Sequence, residues 1–366
     1  MVLHRAIQAA REGDLPTLRA LSASGHLTPA VTDTQGATPA HHAARCGHLD
    51  CLRFLVGEAG LAGDARAGNG ATAAHDAAAT GHLLALRWLV ENKGCSTEDR
   101  DSGGATALHL AARFGHADVL QWLLSVRGGA EAETDCRALP AHYAAAKGDL
   151  TCLKLLVQQA PGCVNRQTVI GATPLYIACQ EGHLHVVEYL VKDCGADVHL
   201  KAHDGMTVLH AATHMGHHAL VVWLASFTDV SLSCQDEEGA TALHFAASRG
   251  HHRILERLLR MGATVIKDSW GGTPLHDAAE NGELECCRIL LTNQVSPTEK
   301  DKDGFTAVDL AEYNGRYDCA NYLRTQEQRV SIADGSFPEV SSSEAERKEK
   351  PAVSWQPSSA DLLPGP

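Results

Sequence analysis

A four-residue motif, Thr-Pro-Leu-His or a close variant, recurs along this chain at intervals of 32 to 34 residues. Its first position falls at Thr38, Thr72, Thr106, Leu139, Thr173, Thr207, Thr241, Thr273 and Thr306. A period this regular indicates that the chain repeats one small supersecondary unit, and that each unit packs mainly on its neighbours. We therefore expect no single globular core, and we expect the function to reside on an extended surface.

The sequence around Thr173 indicates how one unit folds. Thr173 is placed to cap a helix, and Pro174 occupies the first helical position, where the missing N–H costs nothing. Gly182 is placed to end this short helix, because glycine readily adopts the left-handed conformation. Valines and leucines at helical spacing over 186–191 predict a second helix. The predicted fold class is all-α, with about ten helix-turn-helix units in residues 1–327 and polar, capping units at the ends.

Composition places the chain in a reducing compartment. Its 12 cysteines are irregularly spaced and include no Cys-x-x-Cys pair. The sequence from Met1 reads as an amphipathic helix with no signal peptide, and no apolar run approaches the roughly 20 residues of a membrane span. We expect a soluble, cytoplasmic monomer that does not contact membranes.

The net charge of −13 narrows the class of partner. An acidic surface repels phosphate backbones and anionic lipid headgroups. Nucleic acid is therefore an unfavourable partner, and a basic peptide is a favourable one.

The 22 histidines are better explained by the scaffold than by chemistry. Thirteen of them occupy two slots of the repeat, in the Thr-Pro-Leu-His motif and in a Gly-His pair that follows it, and hydrogen bonds between loops are the expected role. The remaining histidines and the cysteines form no ligand set with usable metal spacing. No glycine-rich stretch has the Lys-Ser/Thr of a phosphate-binding loop. The sequence thus predicts a non-enzymatic protein without metal or cofactor.

Residues 328–366 differ from the repeats in being rich in Ser, Pro, Glu and Lys. Such a segment buries too little apolar area to offset its chain entropy, and we expect a disordered linker. The alternative is a short binding motif around Trp355 or residues 361–363. The final Pro-Gly-Pro favours a chain that stops within a linker of a longer protein.

The repeated pattern Thr-Pro-Leu-His-x-Ala-Ala-x-x-Gly-His resembles the ankyrin repeat. The resemblance implies a curved solenoid whose groove is lined by loop tips and by the two residues before each helix-ending glycine. Seven apolar residues map to these slots and are expected to face solvent: Phe114, Val169, Ile170, Met206, Met215, Trp270 and Phe305. Five acidic residues map there as well: Glu181, Asp204, Glu237, Glu238 and Glu280. We interpret these residues as a groove for an extended basic peptide with apolar anchors, Trp270 and Phe305 contributing most. In the alternative, Val169 and Ile170 lie under a loop and the glutamates are merely solvated.

Three stretches, 6–14, 36–45 and 104–116, resemble the ankyrin array of the espin family. That resemblance implies a cytoskeletal adaptor of actin-rich protrusions such as hair-cell stereocilia. It also implies that the array binds a motif in the tails of class III myosins, and that actin binds regions C-terminal to the repeats. Residues 328–366 contain no clear counterpart of those regions.

Two other functions remain open. The chain could be a substrate-recruiting subunit of a ubiquitin ligase or a signalling inhibitor, but such a subunit needs an adaptor-binding helix after the repeats. The many cysteines would also permit a metal- or redox-responsive sensor.

Overall fold

The computed structural model describes residues 2–92 and 94–333, and every regular element in these ranges is a helix. The predicted all-α class is confirmed. The helices form ten consecutive pairs, each with an inner helix that begins near the repeated motif and an outer helix that follows it. None of these helices combines the length and the apolar character needed to cross a bilayer.

The described residues divide into two compact units. The first contains those of Met1–Ala178 and His185–Ala196, and the second contains those of Cys179–Leu184 and Asp197–Pro357. In the first unit the helices are α1 Val2–Glu12, α2 Leu15–Ala23, α3 Pro39–Arg45, α4 Leu49–Leu52, α5 Ala73–Ala79, α6 Leu83–Asn92, α7 Ala107–Phe114, α8 Ala117–Arg127, α9 Pro140–Lys147 and α10 Leu150–Gln159. A π-helical turn, Arg53–Glu58, continues α4, and a 3₁₀ turn, Pro161–Asn165, follows α10.

The division between the units falls within the pair α11 Pro174–Glu181 and α12 Leu184–Lys192. The helices of the second unit are α13 Val208–His214, α14 His218–Phe227, α15 Ala242–Ser248, α16 His252–Arg260, α17 Pro274–Asn281, α18 Leu284–Thr292, α19 Ala307–Tyr313 and α20 Tyr317–Ala333.

The histidine of the motif caps its own helix and ties it to the next loop. The backbone N–H of Thr207 donates to His210 Nδ1 at 3.1 Å, and the Thr207 hydroxyl accepts from the His210 N–H at 3.3 Å. His210 Nε2 then donates to the Cys234 carbonyl at 3.0 Å. Burial lowers the pKa of His210 to about 4, so the ring is neutral at pH 7. The predicted scaffold role of these histidines is confirmed.

The histidine of the Gly-His pair forms a hydrogen bond with the preceding repeat. His251 Nε2 donates to the His214 carbonyl at 3.1 Å, and the ring lies against Gly216. Gly216 has a φ of +80°, and a Cβ atom there would lie 2.6 Å from His251 Cε1. Both the backbone conformation and the space therefore require glycine at this position.

Small residues let the inner helices pack closely. Ala111 and Ala112 in the first unit, and Ala246 and Ala247 in the second, are completely buried. The outer helices complete the core with larger side chains such as Leu120 and Leu255. Because the alanine pairs leave little space between inner helices, a larger side chain there would force them apart.

The predicted start of a disordered tail at residue 328 is wrong for 328–333, because α20 continues to Ala333. The helix is anchored by Leu323, which is fully buried, and no glycine or proline interrupts the chain between Gly315 and Gly335. A helix that is already nucleated extends at low cost through residues that do not break it. The rest of the predicted tail, including Trp355 and residues 361–363, lies outside the described residues.

Candidate functional site

The loops that precede the Thr-Pro-Leu-His motifs, here called fingers, are joined by backbone hydrogen bonds. In the second unit, the N–H of Glu237 donates to the Asp204 carbonyl at 2.9 Å and that of Ser269 to the Glu238 carbonyl at 2.8 Å. In the first unit the N–H of Val169 donates to the Cys136 carbonyl at 2.9 Å. These bonds hold neighbouring finger tips at a fixed spacing within each unit.

Three of the four fingers of the second unit are also braced from within by an aspartate three positions before the finger glycine, a position that Ala202 occupies in the fourth. Asp236 Oδ1 accepts the backbone N–H of Glu238 at 3.0 Å and that of Ala240 at 2.7 Å. Asp268 and Asp301 make the same pair of bonds in the next two fingers. The sequence reasoning missed these residues, although an aspartate occupies this position in five of the nine repeats that carry the motif.

Three of the five predicted acidic residues come together at two adjacent fingers. Glu237 and Glu238 are exposed and Asp204 is half-buried. Burial raises the pKa of Asp204, and the negative charge of Glu237 raises it further. Burial likewise raises the pKa of Asp236 to about 6, with the charges of Glu238 and Asp204 adding to the effect. We call Asp204, Asp236, Glu237 and Glu238 the acidic finger cluster. Within it, burial raises the pKa of Asp204 and of Asp236, and the neighbouring carboxylates raise both pKa values further.

The other two predicted acidic residues lie at the ends of inner helices and outside this cluster. Glu181 at the end of α11 is half-buried, and burial raises its pKa. Glu280 near the end of α17 is half-buried, and its carbonyl accepts from Arg316 Nε at 3.4 Å.

The predicted apolar residues are exposed to different extents. Phe114 and Val169 in the first unit, and Met215 in the second, are between 41% and 47% exposed. Ile170 and Trp270 are half-buried. The indole N–H of Trp270 is buried and has no hydrogen-bond partner within the part of the chain that the structure describes.

The predicted exposure of Met206 and Phe305 is wrong, since they are only 6% and 8% exposed. Both follow a finger glycine, and this slot points into the core between the finger and the inner helix. The same slot holds alanines in other repeats, and Ala37, Ala71 and Ala172 are all buried. The repeated alanine was therefore a signal of burial.

A family model described as ankyrin repeats in three copies matches residues 3–101, 60–136, 108–202, 193–269 and 264–334. The chain belongs to the ankyrin-repeat family. Its helix pairs, capped inner helices and fingers are the elements of that repeat, and the family supports a role in binding other proteins.

The chain is also similar to named ankyrin-repeat proteins. It is 60% identical to human espin-like protein over 79 residues, which cover 22% of the chain and 8% of that protein. It is 56% identical to rat espin over 81 residues, covering 21% and 10%. It is 35% identical to ankyrin repeat domain-containing protein 37 of Xenopus tropicalis over 86 residues, covering 24% and 50%. These matches confirm the resemblance to the espin family, and they span a tenth or less of the espin proteins themselves.

Proposed function

We propose that this protein is a non-catalytic adaptor that binds a basic peptide with apolar anchors on the second unit. The observation that carries this proposal is the acidic finger cluster, Asp204, Asp236, Glu237 and Glu238. Burial and mutual repulsion raise the pKa of two of its carboxyl groups, and a lysine or arginine from a partner would relieve that repulsion.

The apolar residues of the second unit supply most of the proposed affinity. An exposed ion pair contributes only about 0.2–1 kcal/mol. A buried aromatic or aliphatic anchor contributes ~2 kcal/mol or more. Met215 and Trp270 are accessible to a peptide, whereas the buried Phe305 is not. The carboxylates are expected to set the association rate and the preference for a basic partner.

The partner that fits best is the tail of a class III myosin. The similarity to espin-like protein and espin supports this choice, and the acidic cluster matches a basic tail peptide. The proposed adaptor acts as a monomer in the cytoplasm, where it connects the motor to actin-rich protrusions such as stereocilia.

The test is binding of a class III myosin tail peptide, measured by stopped-flow fluorescence and calorimetry at low and at physiological salt. The double variant Glu237→Lys with Glu238→Lys should associate about 10-fold more slowly and lose most of its salt dependence. The matched control is Glu256→Lys with Glu285→Lys, which makes the same charge change on outer helices of the same unit. Failure of the unaltered protein to bind at micromolar peptide would refute the proposal, as would equal losses in both double variants.

The apolar anchors are tested with the same peptide. Trp270→Ala should weaken binding by about 30-fold, which corresponds to ~2 kcal/mol, and Met215→Ala by a smaller factor. Glu238→Gln should change the affinity by less than about 5-fold. If Glu238→Gln costs as much as Trp270→Ala, the anchor model is wrong.

A further inference from the structure

Arg249 follows the last residue of α15 and is held in place by a histidine of the preceding repeat. Its Nε and Nη2 atoms both lie within hydrogen-bond distance of His214 Nε2, at 3.1 and 2.9 Å. His214 is the last residue of α13 and is only 9% exposed, whereas Arg249 is half-buried. The edge of the guanidinium formed by Nε and Nη2 thus donates to His214.

The imidazole that holds Arg249 is itself fixed and neutral. Because its Nε2 accepts the arginine N–H groups, the ring proton must be on Nδ1. Burial, followed by the charge of Arg249, lowers the pKa of His214 to about 4. The ring packs edge-to-face on Phe245, with centroids 5.6 Å apart and planes at 89°.

Two arginines of the first unit differ from Arg249, because each is connected to a carboxylate, either directly or through a histidine ring. Arg45 Nε and Nη2 donate to Asp76 Oδ1 at 3.2 and 2.9 Å. Arg11 Nε donates to His42 Nδ1 at 3.1 Å, and His42 Nε2 donates to Asp33 Oδ2 at 2.9 Å. In both cases a negative charge lies next to the arginine or one ring away.

No carboxylate lies within 4.0 Å of the Arg249 guanidinium in the portion of the chain that the structure describes. Its hydrogen-bond partner there is the uncharged His214 ring. A guanidinium carries five N–H donors, so the edge formed by Nη1 and Nη2 retains a pair of donors with the geometry of a carboxylate. The charge of Arg249 is therefore positioned but not compensated.

We propose that Arg249 receives a carboxylate of the bound peptide. The exposed side chain of Met215, which follows His214 in the chain, offers an apolar contact from the next position. This inference rests on the proposed function and specifies its partner further. The peptide carries one acidic group, a side chain or its own C-terminus, among the basic residues that suit the acidic finger cluster.

A double-mutant cycle with the class III myosin tail peptide tests this inference. Each Asp and Glu of the peptide is replaced in turn by its amide, and a further peptide is amidated at the C-terminus. Arg249→Gln should weaken binding of the original peptide about 10-fold. One modified peptide should bind Arg249→Gln and the unaltered protein with the same affinity. The modification in that peptide identifies the carboxylate that contacts Arg249, either a side chain or the C-terminus. Arg260→Gln, the same substitution on the outer helix α16, should leave every affinity unchanged.

The outcomes separate this inference from the function on which it rests. If the unaltered protein binds and Arg249→Gln binds equally well, or if no peptide change is coupled to Arg249, the inference is overturned and the proposed function stands. If the unaltered protein does not bind, both are overturned. Thermal unfolding checks the fold of Arg249→Gln. Arg249→Lys provides a second variant that keeps the charge but lacks the paired donors, and it should lose several-fold in affinity with the same coupling.

Discussion

Lowering the pH from 7 to 5 is expected to destabilise the first unit more than the second. His109 and His142 in the first unit are completely buried, and burial lowers the pKa of each to about 4. An unfolded histidine titrates near 6.5. Between pH 6.5 and 4 the unfolded chain therefore binds more protons than the folded one, and the free energy of unfolding falls as the pH falls through this window.

The magnitude follows from the two pKa values. Each histidine contributes a loss of about 2 kcal/mol between pH 7 and 5, or about 4 kcal/mol for the pair. His210 and His214 impose a similar loss on the second unit. There, however, burial raises the pKa of Asp236 to about 6 and that of Glu327 to about 7. These carboxylates take up protons in the folded state over the same range, which offsets about 1 kcal/mol each after allowance for partial exposure.

Native-state hydrogen exchange read by mass spectrometry measures this difference. After correction for the intrinsic exchange rate, opening free energies from α7 and α9 should fall about 2 kcal/mol further than those from α13 and α15. The variant His142→Asn should be less stable at pH 7, but its loss on going to pH 5 should be smaller by about 2 kcal/mol. Equal losses in the two units would refute the offset assigned to Asp236 and Glu327. An unchanged pH response of His142→Asn would refute the assignment of the loss to buried histidines.

Three further predictions concern stability, and denaturant unfolding checks each of them. Arg137 has a φ of +61°, so Arg137→Gly should stabilise the protein by about 1 kcal/mol, and Arg137→Ala, which keeps the strain, should not. The hydroxyl of Thr213 is fully buried without a hydrogen-bond partner in the described ranges, so Thr213→Ala should be neutral or stabilising by up to about 1 kcal/mol; a loss would mean that the hydroxyl is satisfied. Gly216→Ala should cost about 2 kcal/mol or more, because the new Cβ meets His251. Gly262→Ala, at a φ of +93° with open space around it, should cost only about 1 kcal/mol, and equal costs would contradict the steric argument.

The helices were predictable from the sequence because each slot of the repeat meets a local need. At the start of one inner helix the backbone N–H of Thr241 donates to His244 Nδ1 at 3.0 Å, and the His244 N–H donates to the Thr241 carbonyl at 2.9 Å. Such contacts lie within four residues of the chain. The glycine that ends an inner helix is dictated by a positive φ and by a neighbouring histidine, as at Gly216. Requirements of this kind are local or repeat with the period, so the pattern of residue types contains them.

The surface was less predictable, because position in a loop does not give side-chain direction. Met206 and Phe305 lie in the fingers but turn inward, and only comparison with the buried alanines of the same slot reveals this. The pairing of Arg249 with His214 joins residues 35 positions apart in the chain. Nothing in the sequence around Arg249 distinguishes it from Arg45, whose partner is a carboxylate. A charge that is compensated and one that is not look the same in sequence.

Folding and binding make separate demands on the fingers. The bonds that join one finger to the next use the backbone of Glu237 and Glu238, while both side chains are exposed and make no hydrogen bond within the described part of the chain. Replacing these side chains therefore leaves the finger contacts intact, and a change in affinity reports contact with the peptide. Arg249 differs, because its side chain also bonds the buried His214. An affinity loss at Arg249 becomes evidence of contact only when it is coupled to one carboxylate of the peptide, since a loss of local packing would weaken all peptides alike.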